Sequence, residues 1–161
     1  MNRLIVFYSY SGNTKSIVDR ICDKYKYDVA EIKPKEAYDS DYDKVVSSEE
    51  KLVPLDYQPD IQPLNIDLNL YDEIILCTPV WWYSVASPVN TFLHQYDLSQ
   101  KTIIPVATNG GWLGRAFENI EKITGASLKK AISLKFENKH LSNLYELEDW
   151  LNKLEESKEN I

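Results

Sequence analysis

Apolar and polar positions along this chain fall into blocks whose spacing keeps changing. Residues 3–8 hold the continuous apolar run Leu4-Ile5-Val6-Phe7-Tyr8, the pattern of a strand buried on both faces. Residues 14–26 switch to helical spacing, with Ile17, Val18, Ile21, Cys22 and Tyr25 on one stripe. Residues 27–32 alternate as a second strand, ended by Pro34. Leu70 to Thr78, around Ile74-Ile75-Leu76-Cys77, predicts a third strand. Ser87-Pro88 then reads as a helix cap and first turn, followed by Val89, Phe92, Leu93 and Tyr96 at helical spacing. Thr102 to Ala107 predicts a fourth strand. Leu113, Ala116, Phe117, Ile120 and Ile123 predict a helix that stops at Gly125. Leu128 to Phe136 predicts a fifth strand. Leu144, Leu147, Leu151 and Leu154 predict a last helix capped by Ser142.

Strands that alternate regularly with helices pair in parallel, with right-handed crossovers and helices on both faces. The expected fold is therefore α/β, a doubly wound five-stranded parallel sheet in the order 2-1-3-4-5. No repeat or boundary interrupts it, so residues 1–161 are expected to form one domain. The exception to the pattern is residues 35–69, rich in Asp, Tyr and Pro. Asp41 to Leu52 is expected as a polar helix. Pro54, Pro59 and Pro63 disfavour regular structure after it. So long a connection either serves function or straps the sheet edge.

The formal net charge of −7 disfavours nucleic acid and anionic membranes as partners and is compatible with docking on basic proteins. Cys22 and Cys77 form no CxxC pair and read as two buried thiols. No apolar run reaches membrane-spanning length and no leader pattern opens the chain, so a cytoplasmic location is expected. His94 and His140 do not form a metal-ligand set with any cysteine or carboxylate.

Chemistry concentrates where three predicted strands end, the place where such sheets bind ligands. The first strand runs into Ser9-Tyr10-Ser11-Gly12-Asn13-Thr14 and then a helix. Hydroxyl and amide donors, a glycine and a helix N-terminus together make an anion cradle. It carries no Lys or Arg, and it is neither GxxxxGK[ST] nor GxGxxG. It is thus expected to hold a phosphate through neutral donors. The third strand ends in Thr78-Pro79-Val80-Trp81-Trp82-Tyr83. Three aromatics in a loop are costly to expose unless a flat partner covers them. The fourth strand ends in Thr108-Asn109-Gly110-Gly111-Trp112-Leu113-Gly114, offering donors and close backbone approach.

These three loops resemble those of the flavodoxin-like proteins, in particular a bacterial group with a P-x-W-W loop after strand 3 and a T-x-G-G loop after strand 4. The likeness spans nearly the whole chain and implies a flavodoxin-like fold with FMN as cofactor. By carry-over, Ser9, Ser11, Gly12, Asn13 and Thr14 would hold the phosphate. Pro79, Val80, Trp81, Trp82 and Tyr83 would line the flavin ring, and Thr78 before them would also belong to the cofactor site. Thr108, Asn109, Gly110 and Gly111 would meet its polar edge. One departure weakens the likeness: one-electron flavodoxins place a Gly in the strand-3 loop, and none occurs between Thr78 and Pro88. Bulky residues disfavour the positive φ that such a loop uses when its peptide turns over. The resemblance implies electron transfer with redox partner proteins. Its alternative is an FMN-dependent oxidoreductase using NAD(P)H on quinones or nitro compounds. A flavin-free interaction module of the same fold is a third reading, which the intact phosphate loop opposes.

Overall fold

The computed structural model describes residues 2–156, so Met1 and residues 157–161 of the expected domain lie outside the described residues. Along the chain run β1 (Arg3–Phe7), α1 (Asn13–Lys24), β2 (Asp28–Glu31), α2 (Tyr42–Leu52), β3 (Glu73–Trp81), β4 (Ser84–Val85) and α3 (Ser87–Gln95). There follow β5 (Thr102–Asn109), α4 (Ala116–Thr124), β6 (Ser127–Leu128), β7 (Ile132–Glu137), β8 (His140–Leu141) and α5 (Leu144–Lys153). The main strands lie parallel in the order β2-β1-β3-β5-β7. Setting aside the three two-residue strands, this is the expected doubly wound order. β4 turns back antiparallel on β3, and β8 turns back antiparallel on β7.

Successive residues of each central strand enter opposite cores, as the pleat requires. Leu4, Val6, Ile74, Leu76 and Ile103 pack with α3 and α4 residues such as Phe92 and Ile120. Ile5, Phe7, Ile75, Cys77 and Ile104 pack with Ile17 and Ile21 of α1 and Leu147 and Leu151 of α5. Both sides are apolar, so the sequence shows runs rather than alternation. Cys77 is buried, but Cys22 is only half-buried, packed at the margin of the α1–α5 core.

Several boundaries differ from the sequence pattern, each for a local reason. The fifth strand is split, because Lys130 at φ 53° breaks the extended backbone between β6 and β7. The third strand begins later and runs on to Trp81, since residues 68–70 close a 3₁₀ turn capped by Asp67. Ser87 does not cap α3; Ala86 holds that position, and the buried Ser87 hydroxyl donates instead to Glu49 Oε1 at 2.5 Å. Asn143 rather than Ser142 precedes α5, and its side chain ties the helix to β7 through Ser133 O and Lys135 N.

At the amino edge of the sheet, Glu73 is 2% exposed and meets Arg3 Nε and Lys129 Nζ at 2.5 Å each. Burial alone would raise its pKa. Hydrogen bonds from Lys129 and Arg3 outweigh that and hold the carboxyl below its ordinary range. Residues 35–69 contain α2 and then a strap along α3. Asp41 caps α2 by accepting from Asp43 N at 3.0 Å, and Val46 O of α2 accepts from Trp82 Nε1 just past the carboxyl end of β3. The later part straps α3: Asn90 Nδ2 donates to Asp56 Oδ1 at 2.8 Å, Thr91 Oγ1 to Pro59 O at 2.6 Å, and Tyr96 OH accepts from Leu64 N at 3.2 Å.

Glu49, on α2, is 1% exposed and is the least expected burial in the chain. Its Oε2 and the Tyr38 hydroxyl are both buried without a well-formed hydrogen-bond partner among the described residues. Burial pushes Glu49 above its ordinary value of 4.5, against the opposing effect of Ser87 and Tyr38. The unfolded chain therefore loses this proton at lower pH than the folded one. Glu49 lowers stability progressively as pH rises above 4.5, until the folded carboxyl ionises as well. Glu49→Gln should melt with the parent at about pH 4 and above it at about pH 7. Melting curves of both proteins across that range test this; a difference independent of pH would contradict it.

Candidate cofactor site

The strand ends enclose a cavity of about 950 Å³. That lies within the range of roughly 300–1,000 Å³ usual for small-molecule and cofactor sites. Ser9, Ser11, Asn13, Pro79, Val80, Trp81, Thr108, Asn109 and Gly110 line it, so all three loops singled out in the sequence converge there.

The first loop is held open by its own side chains. Gly12 sits at φ 100°, the left-handed turn that swings the chain from β1 into α1. Ser9 Oγ accepts from Lys15 N at 3.1 Å, and Ser11 Oγ accepts from Asn13 N at 3.4 Å. A hydroxyl that accepts one hydrogen bond still has its own proton to donate. The two serines thus shape the loop while keeping donors for an anion. Thr14 is placed differently. It is 1% exposed, does not line the cavity, and shares a 2.8 Å hydrogen bond with Thr108 Oγ1. Its hydroxyl fastens the first loop to the end of β5.

The third-strand segment divides at Trp81. Pro79 and Val80 are still on β3, and Trp81 projects into the cavity. Three tyrosines surround its ring edge-on: Tyr38 at 5.2 Å, Tyr8 at 5.6 Å and Tyr10 at 6.2 Å between centroids. Edge-to-face contacts of this kind fix the orientation of each ring. Burial, with the nearby Tyr10 and Glu49, pushes the Tyr8 phenol well up, and burial with Glu49 does the same for Tyr38. Both stay neutral donors.

Trp82 and Tyr83 leave the cavity, and neither lines it. They occupy the two central positions of the β3–β4 hairpin, at φ 47° and 66°. Consecutive positive φ values define the type I′ turn that matches strand twist. Bulky residues pay for this conformation with roughly 1–3 kcal/mol each, and tertiary contacts offset it. Trp82 Nε1 donates to Val46 O on α2 at 2.9 Å, and Arg115 N donates to Tyr83 O at 2.8 Å. Gly114 completes the lock: a Cβ there would stand 2.5 Å from Tyr83 backbone and Cβ atoms. Bulky residues thus hold positive φ in this loop, the unfavourable conformation being offset by these contacts. Thr78 is fully buried and bridges the same hairpin, accepting from Ala86 N at 3.3 Å.

In the third loop Asn109 Nδ2 donates to Ser133 Oγ at 2.8 Å, while its Oδ1 accepts from Gly111 N at 2.9 Å. Gly110 faces the cavity. Gly111 does not line it and turns at φ 128° against Lys135. Sequence reasoning missed Tyr8, Tyr10, Tyr38, Tyr42, Asn138 and Lys139, which also line the cavity. The Tyr-rich composition around residue 40 was a signal for Tyr38 and Tyr42. Asn138 and Lys139 lie in a polar turn that resembles any surface hairpin. Among the described residues no group of His, Cys, Asp or Glu is arranged to hold a metal ion, and no helix is long and apolar enough to cross a membrane.

Comparison with known proteins identifies the fold and the family. A crystal structure of a flavoprotein in complex with FMN from Lactobacillus acidophilus shares 27% identity, with a TM-score of 0.71 over 82% of this chain and 91% of that one. A chain from Bacteroides uniformis has the same fold, at 23% identity and TM-score 0.73 over 94% of this chain and 98% of that one. A Fusobacterium nucleatum flavodoxin bound to flavin mononucleotide shares the fold at 15% identity and TM-score 0.52, over 96% of this chain and 97% of that one. Among curated proteins none matches. The flavodoxin family model matches residues 2–154, nearly the whole chain, and the chain belongs to that family.

Proposed function

We propose that this chain holds FMN in the cavity and transfers electrons between protein partners. The observation that carries the reading is the convergence of a hydroxyl-rich loop, an aromatic wall and the Asn109-Gly110 turn on one cavity. FMN is the cofactor that family membership supports, and the Lactobacillus acidophilus relative is a complex with FMN. The donor chemistry fits it. Ser9, Ser11 and Asn13 meet the phosphate, Trp81 and its tyrosines give the ring an apolar wall, and Asn109 and Gly110 meet the ring's polar edge. When bound, FMN supplies the electron-carrying chemistry. The protein's own work is to seat it and keep water from one face.

Redox proteins are the partners this reading favours. Tyr42, Tyr83 and Trp112 are 63%, 55% and 70% exposed, on segments that leave the carboxyl edge of the sheet. Aromatic side chains beside a cofactor, on a protein of net charge −7, suit transient docking to a basic surface. One observation favours the alternative, an FMN-dependent oxidoreductase that takes electrons from NAD(P)H. The locked Trp82-Tyr83 turn leaves the backbone there little freedom to adjust to a single added electron. Anaerobic titration separates the two. A carrier should be reduced in two resolved one-electron steps by dithionite and should not react with NADPH alone. Direct bleaching by NADPH in a single two-electron step would overturn electron transfer as the function.

The cradle should make FMN bind more tightly than riboflavin. Hydrogen bonds to a charged group are worth about 1.5–3 kcal/mol each. Two of them make the ratio about a hundredfold or more, readable by flavin fluorescence titration. Equal affinities would remove the phosphate role from Ser9 and Ser11.

The two tryptophans should separate cleanly. Trp81→Ala removes the cavity wall and should shift the bound flavin's visible spectrum and loosen FMN at least about tenfold. Trp82→Ala loses its bond to Val46 O and should lower the melting temperature while leaving that spectrum unchanged. A reversed pattern would place the ring against Trp82.

A further inference from the structure

The Ser9–Thr14 loop contains no cation, yet a phosphate monoester carries about 1.5–2 negative charges at neutral pH. Neutral donors solvate that charge without balancing it, and the protein around them is acidic. The structure brings a cation to the loop from the far end of the chain. Resting on the FMN reading above, we infer that Lys139, in the turn between β7 and β8, is the charge partner of the cofactor's phosphate and sets the preference for the phosphorylated flavin.

Three observations place it there. Lys139 lines the same cavity as Ser9, Ser11 and Asn13. Its ammonium donates to the Ser11 carbonyl, and it stands 3.4 Å from where a Cβ at Gly12 would lie. It therefore covers the one position of the loop that has no side chain. The turn is also tethered, because Asn13 Nδ2 donates to Asn138 O at 2.8 Å. The backbone at Asn138 is left-handed, at φ 54°, which bends the hairpin back toward the loop. Holding Ser11 O uses one of the three ammonium protons, and the others are available to phosphate oxygens.

A purely structural role predicts something different. If Lys139 only staples the loop, its loss weakens FMN and riboflavin alike and lowers the melting point of the apoprotein. If it pairs with the phosphate, only FMN suffers. Lys135 gives a control for general charge, since its ammonium lies over Gly111 in the neighbouring loop and it does not line the cavity.

The test is fluorescence titration of FMN and of riboflavin into the parent, Lys139→Gln, Lys139→Arg and Lys135→Gln, at low and high salt, with apoprotein melting curves. Lys139→Gln should weaken FMN by roughly ten- to a hundredfold, leave riboflavin unchanged and flatten the salt dependence of FMN binding. Lys139→Arg should restore most of the affinity, and Lys135→Gln should keep it. Parallel losses for both flavins, no loss for either, or an equal loss in Lys135→Gln would overturn the inference. A parent protein that binds no FMN would overturn the FMN reading itself and this inference with it. A parent that prefers FMN while Lys139→Gln keeps the full preference would leave the reading standing and remove Lys139 from it.

Discussion

A parallel strand buried on both faces has no side chain left over for chemistry. Here β1, β3 and β5 send every residue of their central stretch into one of two apolar cores, so polar work is displaced to the points where these strands leave the sheet. Chain order then decides which segments meet. The order β2-β1-β3-β5-β7 puts the ends of β1, β3 and β5 side by side, although they are far apart in sequence. The Thr14–Thr108 hydroxyl pair is the physical stitch between the first and third of these ends.

Charge is handled differently at the two edges of the sheet. At the amino edge, Glu73 is buried and matched by two cations, so that losing the carboxylate would leave Arg3 and Lys129 without their shared buried partner. At the carboxyl edge, Glu49 is buried without a cation, and burial raises its pKa above the ordinary value. The first arrangement fixes strand register, since Arg3 and Glu73 are cross-strand partners. The second costs stability as pH rises, since the folded carboxyl gives up its proton less readily than the unfolded one.

The strand order and the helical stripes were legible because they depend on periodicity, which is a local property of the sequence. The cradle was legible because its donors are consecutive. Other parts depend on contacts that no short window contains. Trp82 and Trp81 are adjacent and identical, yet one faces the cavity and the other bonds to α2, because a hairpin turn comes between them. Thr14 reads as another donor of the cradle until Thr108 is brought beside it. Tyr38 gave only a compositional hint, and Lys139 gave none, since a lysine in a polar turn is common. Ser87 reads as a cap because the cap signal is local, whereas its real partner, Glu49, is 38 residues away.

The Trp82-Tyr83 turn also bears on the order in which the molecule assembles. Its left-handed backbone is unfavourable by itself and is held by α2 on one side and the segment before α4 on the other. The Val46 contact alone spans 36 residues of chain, so the entropy of closing that loop is spent before the contact returns anything. The turn can settle only after both neighbours have docked. The hairpin next to the cavity is thus a late-forming part of the fold, and the sheet that carries it can be complete while the turn is still unmade.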